Sequence, residues 1–218
     1  AQEEKPYTQP KLVVGVVVDQ MRFDYLTRFW DRFGEGGFKR LVNDGFEAKN
    51  HHFNYVPTAT GPGHTSVYTG TTPAVHGILG NNWYDKFLKE SVYCAADENY
   101  TDLGTENTGG MAPTRLLTTT ITDQLRLHYQ FRSKVVGIAI KDRGAILPVG
   151  HTANAAYWFE GRSTGNWISS TYYFESLPNW VKKYNKKHSV DQYRKTWETL
   201  KPLKSYVESG SDVNNYEG

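Results

Sequence analysis

Apolar residues in this chain gather in short runs set apart by glycine- and proline-marked breaks. The first run, Lys11 to Val18 (KLVVGVVV), is β-branched and continuous, which predicts a strand buried on both faces that stops at Asp19. Met21, Tyr25, Leu26 and Phe29 then recur at near-helical spacing between Gln20 and Phe33, and the Gly34-Glu35-Gly36-Gly37 stretch ends them. A second helix is predicted from about Phe38 to Asn43, stopping at Gly45, with an extended stretch from Phe46 to Asn54. Further on, Pro62 suits the first turn of a helix that Gly70 closes.

The second half begins with an amphipathic segment, Thr114 to Gln130, carrying Leu116, Leu117, Ile121, Leu125 and Leu127. Lys134 to Ile140 (KVVGIAI) reads as another buried strand, followed by Lys141-Asp142-Arg143-Gly144. Ala155 to Glu160 and Asn166 to Tyr173 form a predicted β-hairpin around Gly161 to Gly165, and Trp180 to Lys187 a short basic helix. Strands alternating with helices predict an α/β fold with a doubly wound, mostly parallel sheet and helices on both faces. The texture change after Gly150 divides the chain into residues 1–150, part of an α/β core, and residues 151–218, a cap or insertion with a polar tail.

Composition narrows the class of function. The chain has 218 residues, 25 Lys+Arg and 23 Asp+Glu, for a net charge of +2. No basic stripe marks a nucleic-acid-binding surface. No apolar run reaches the roughly 18–20 residues of a spanning helix. Cys94 stands alone, without an internal disulfide partner or a C-x-x-C zinc motif. The opening Ala1-Gln2-Glu3 is compatible with a mature end left by signal-peptide removal, so a periplasmic or secreted location is expected. Asn99-Tyr100-Thr101 matches a glycosylation acceptor, a tripeptide that arises often by chance.

Four residues at three places carry candidate chemistry. Asp19 follows a predicted strand, where an acid suits either a metal or the N-cap of the next helix. Thr60, before Gly61-Pro62-Gly63, suits either a helix cap or a nucleophilic hydroxyl held where helical N–H groups converge on an anionic ester. Lys141 and Arg143, one residue apart, face the same way if the backbone stays extended, and suit either a phosphoryl group or a solvated loop tip. There is no G-x-x-x-x-G-K-[ST] loop, no G-x-S-x-G elbow and no H-E-x-x-H pair. His51, His52, His64, His76, His128, His151 and His188 therefore read as core or surface residues.

Together, the strand ending in Asp19, PTATGPGHTSVYTG from Pro57 to Gly70, HGILGNNWYD from His76 to Asp85 and the Lys141-Asp142-Arg143 triplet resemble the alkaline phosphatase superfamily. The resemblance is to its type I phosphodiesterase/nucleotide pyrophosphatase-like branch, and within it to the bacterial threonine-nucleophile alkaline phosphatases. It implies an alkaline-phosphatase-like fold and zinc-dependent hydrolysis of small phosphate monoesters through a phosphothreonine intermediate. Thr60 would be the nucleophile and a metal ligand, Asp19 a ligand of one of two zinc ions, and Asn81 a phosphoryl contact, with Asn82 as the fallback. Lys141 and Arg143 would favour a dianionic monoester over a diester. Relatives take further Asp and His ligands from later in the chain, where this sequence offers His151 and His188 alone with no Asp-His pair. The sequence therefore reads as an N-terminal portion that a missing C-terminal half completes, poorly active by itself. The alternatives are a phosphodiesterase or nucleotide pyrophosphatase of the same superfamily, or an inactive phosphate-binding module.

Overall fold

The computed structural model describes residues 9–106, 109–196, 198–206 and 210. Most of the polar tail expected after Lys201 lies outside them. In chain order the helices are α1 (Asp24–Arg28), α2 (Phe38–Asp44), α3 (Thr60–Thr69), α4 (Pro73–His76), α5 (Ile121–His128), α6 (Asp142–Ile146) and α7 (Asn179–Asn185). The strands are β1 (Asn82–Asp85), β2 (Glu90–Tyr93), β3 (Asp102–Leu103), β4 (Val136–Ala139), β5 (Ala155–Glu160) and β6 (Asn166–Ser170).

The α/β class expected from the sequence is the class observed. Strands β1 and β2 form an antiparallel hairpin, and a second sheet runs β3-β6-β5-β4. Only β4 and β5 in that sheet are parallel; β5 with β6 and β3 with β6 are antiparallel, so the pairing is mixed. The hairpin predicted around Gly161 to Gly165 is present as β5 and β6, and the Glu160 carboxylate accepts hydrogen bonds from Ser163 and Thr164 to close its loop. Because β5 pairs with β4, this hairpin extends the same sheet across the expected boundary at residue 150.

Two strand expectations need correction. Leu12 to Val18 joins no sheet among the described residues, and Leu12, Val13, Val14 and Val16 are 71–78% exposed rather than buried. Among the described residues strand β4 has a neighbour on one edge only, and Val136, Ile138 and Ile140 are exposed. An apolar run reports the affinity of a segment for burial; whether burial is achieved depends on neighbours that the described residues do not supply. The segment and β4 border one cavity of about 650 Å³, lined in part by Val13, Val17, Tyr68 and Ile138.

The core consists of Ile78, Cys94, Leu116, Ile146, Leu147, Ala156, Trp158 and Ile168, gathered where β4, β5, α6 and the β1–β2 hairpin meet. At Gly137 the backbone of α6 comes so close that the Ala145 carbonyl occupies the space a side chain would need. That contact seats α6 directly on β4. Thr120 caps α5, and Asp123 reciprocates in a capping box while also accepting from His151 and Thr152. Burial raises the Asp123 carboxyl, but these hydrogen bonds outweigh it and hold the group below its ordinary range.

Candidate active site

Helix α3 organises the site. Its N-cap is Ala59, so Thr60 is already the first helical residue, and its hydroxyl makes no cap hydrogen bond. Thr60 Oγ1 instead donates to Asp19 Oδ2 at 3.2 Å, across 41 positions of sequence. The capping alternative fails for Asp19 too, because the next helix starts at Asp24 with Phe23 as its N-cap. Thus the two oxygen groups singled out from sequence meet each other.

Asn81 approaches the same helix end from the loop between α4 and β1. Its Oδ1 accepts from Gly61 N at 2.7 Å, satisfying one of the free N–H groups of the first helical turn. With the carbonyl oxygen committed to the backbone, the amide nitrogen is the group left to donate to a ligand. A side chain at Gly61 would come within 3.1 Å of Gly80 O, 3.2 Å of Asn81 Oδ1 and 3.3 Å of Cys94 Sγ. Gly61 is thus tightly packed, so that a side chain there would need its neighbours to shift, whereas Gly63 has ordinary contact space at 3.5 Å from Thr58 O.

The loop is held from below by a buried relay. Tyr55 Oη lies 2.7 Å from Ser66 Oγ, which lies 3.0 Å from His76 Nε2, while His76 Nδ1 accepts from Ile78 N at 3.1 Å. Burial lowers His76 to about 4, so the imidazole is neutral, and the core reading of this histidine holds. His64 likewise sits buried with Nδ1 at 2.9 Å from the Thr60 carbonyl oxygen. Cys94 is a buried thiol raised to about 12 by burial and the nearby Asp142 charge, which makes it a packing residue.

Lys141 and Arg143 differ from the expected geometry. The backbone does not stay extended through the triplet: Lys141 is the exposed N-cap of α6, and Arg143 lies within the helix. Strict alternation therefore does not apply. Arg143 is tied to the Asn81 side of the site through β2, since Cys94 N donates to Asn81 O at 2.9 Å and the adjacent Tyr93 Oη accepts from Arg143 Nη1 at 2.9 Å. Tyr93 is the residue that sequence reading missed, because a partner 50 positions away leaves no spacing signal.

As a metal site the cluster is partial. Asp19 and Thr60 offer oxygen donors that zinc accepts, but a zinc centre takes about four ligands, at least three of them usually from protein. Among the described residues no group of three or more His, Cys, Asp or Glu side chains is placed to hold a metal.

Comparison with known proteins shows the family. The family model for type I phosphodiesterase/nucleotide pyrophosphatase matches residues 13–209. The chain belongs to that family. It is 54% identical over 211 residues to a protein of Myroides odoratus that bears the name calcium-transporting ATPase, and 50% identical over 221 residues to alkaline phosphatase PafA of Elizabethkingia meningoseptica. Those alignments take in 96% and 100% of this chain but 38% and 40% of the relatives. The crystal structure of wild-type alkaline phosphatase PafA superposes with a TM-score of 0.91 at 49% identity, covering 98% of this chain and 42% of that one. A second PafA structure carries substitutions at one threonine, one asparagine, one lysine and one arginine. The chain thus spans about 40% of the length of the relatives it matches.

Proposed function

We propose that this chain carries the nucleophile and phosphate contacts of a zinc-dependent alkaline phosphatase that hydrolyses small phosphate monoesters. The observation that carries the reading is the Thr60–Asp19 hydrogen bond at the N-terminus of α3. A hydroxyl held there, beside a carboxylate and under converging N–H groups, is a nucleophile in an anion-binding setting. The four residue types altered in the PafA variant match Thr60, Asn81, Lys141 and Arg143 in kind and order, with the same 21-residue step from threonine to asparagine.

Thr60 Oγ attacks phosphorus and loses its proton as the ester P–O bond breaks in line, and the alcohol leaves carrying a proton. Water then cleaves the phosphothreonine, releasing inorganic phosphate and returning a proton to Thr60. Asp19 orients the hydroxyl. Asn81 Nδ2, Lys141 and Arg143 donate to the non-bridging oxygens, and two cations reward a dianionic monoester over a diester with one charge fewer. The expected cofactor, a pair of zinc ions, when bound lowers the pKa of hydroxyls it touches and stabilises the leaving oxygen. Asp19 and Thr60 would contribute to that centre, and protein beyond these 218 residues supplies the remaining ligands. The exposed segment 12–18 and the side of β4 that has no neighbour among the described residues are apolar surfaces on which such protein would pack.

Among the described residues no helix is long and apolar enough to cross a membrane. Periplasmic or secreted placement is part of this proposal. In the protein as its gene encodes it, Thr60→Ala should abolish p-nitrophenyl phosphate hydrolysis and the acid-stable phosphothreonine trapped with radiolabelled substrate. Unchanged turnover would overturn the assignment of Thr60. Zinc content by mass spectrometry should be about two ions per encoded chain and well below that for residues 1–218 alone. Vigorous zinc-dependent turnover by the 218-residue chain would refute the need for further ligands. The family description also names phosphodiesterases; Lys141→Ala and Arg143→Ala should cost monoester turnover more than diester turnover, and equal losses favour the diesterase reading.

A further inference from the structure

The geometry points to Tyr93 as the positioning residue that fixes the guanidinium of Arg143 for contact with a phosphoryl group. This rests on the reading of Arg143 as a phosphoryl contact. The direction of each hydrogen bond is unambiguous. Arginine only donates, so Tyr93 Oη must accept from Arg143 Nη1 at 2.9 Å. The single phenolic hydrogen is then free for the Asp142 carboxylate, to which Tyr93 Oη donates through Oδ1. Asp142 Oδ1 in turn accepts from the backbone N–H of Arg143, locking the carboxylate to the first turn of α6.

This relay leaves one end of the guanidinium uncommitted. Nη1 faces Tyr93, whereas Nε is buried and has no hydrogen-bond partner among the described residues. With Nη1 held by Tyr93 and Nε covered by protein, Nη2 is the end of the guanidinium left to donate to a phosphoryl oxygen. Tyr93 sits in β2 opposite Asn82, so the hairpin that carries the Asn81 loop also carries the residue that aims Arg143. Burial, and then the Asp142 charge, push the Tyr93 phenol well above its ordinary range, so it stays a donor to Asp142 throughout the alkaline range.

The test is a cycle of Tyr93→Phe, Arg143→Ala and the double variant in the gene-encoded protein. Turnover is measured on p-nitrophenyl phosphate and bis-p-nitrophenyl phosphate, together with inhibition by inorganic phosphate and the melting temperature. Phenylalanine keeps the ring and removes only the oxygen. Tyr93→Phe should lower monoester kcat/KM about tenfold and weaken phosphate inhibition similarly, while diester kcat/KM changes less than about threefold. In the Arg143→Ala background the same change should cost less than about twofold. Equal losses on both substrates, or full loss in the Arg143→Ala background, would overturn the inference and leave Tyr93 a packing residue. If Arg143→Ala collapses the monoester preference while Tyr93→Phe behaves as wild type, the Tyr93 inference alone fails. If Arg143→Ala leaves the preference intact, the phosphoryl-contact reading falls, and this one with it.

Discussion

Asn81 serves the helix with one end of its amide and, in the proposed function, the substrate with the other, so substitutions should separate the two. In Asn81→Ala the N–H of Gly61, a buried residue, loses its 2.7 Å acceptor. An orphaned buried donor costs about 1–3 kcal/mol. In a domain of this size each kcal/mol moves the melting temperature by about 2–4 °C, so a loss near 2 kcal/mol corresponds to about 4–8 °C. Asn81→Asp keeps an acceptor at the same place and adds negative charge near a helix N-terminus, which is favourable, so its stability should match or exceed that of the native chain. Its carboxylate cannot donate to phosphate and repels it. Monoester kcat/KM of the encoded protein should therefore fall at least as far in Asn81→Asp as in Asn81→Ala. Urea titrations monitored by tryptophan fluorescence provide the stability ranking, with an unchanged slope confirming two-state comparison. If Asn81→Ala unfolds at the native midpoint, or if Asn81→Asp is as fragile as Asn81→Ala, the Gly61 hydrogen bond is not what this side chain contributes.

Further outcomes follow from the same geometry. Gly61→Ala should lose about 1–3 kcal/mol by crowding Gly80, Asn81 and Cys94, whereas Gly63→Ala, two residues on, should gain about 0.5–1 kcal/mol of helix propensity; paired thermal melts check the opposite signs. Burial, with the Asp142 charge, raises Asp102 from 3.8 to about 7, so the folded state holds a proton that the unfolded chain releases. Stability should therefore fall as pH rises from about 4 to 7 and then level off, and Asp102→Asn should flatten that slope in urea midpoints measured across pH. Glu160 moves the other way: hydrogen bonds from Thr164, Ser163 and Arg162 lower it from 4.5 to about 2. Its stabilisation is present above pH 4.5 and is lost as pH falls toward 2, and Glu160→Gln should remove that acid-side loss in the same titration.

Local signals were legible where local chemistry decides the outcome. Gly70 adopts the left-handed conformation that ends α3, and Gly161 to Gly165 turns the hairpin as expected. The Thr114 to Gln130 pattern overran, because the Thr120 capping box starts α5 only at Ile121. Sequence alone could not choose between capping and chemistry for Asp19 and Thr60, since both roles favour the same residue types at the same positions; only their meeting across 41 residues separates them. Lys141 and Arg143 are legible as charges, but Asp142 begins a helix, so the condition of an extended backbone under which both would face the same way is not met. Tyr93 was invisible, since its role depends on the register of β2 and not on its neighbours in sequence. The burial of Leu12 to Val18 failed for a similar reason: pattern describes what a strand wants and not which partner arrives.

That segment has a consequence for handling the protein. Leu12 to Val18 joins no sheet among the described residues and is rich in β-branched side chains, with Lys11 and Asp19 as its flanking charges. Such a segment is a template for intermolecular cross-β growth. A preparation of these 218 residues at high concentration is thus poised toward fibrillar self-association, and a lysine placed at Val14 or Val16 is the substitution that blunts it.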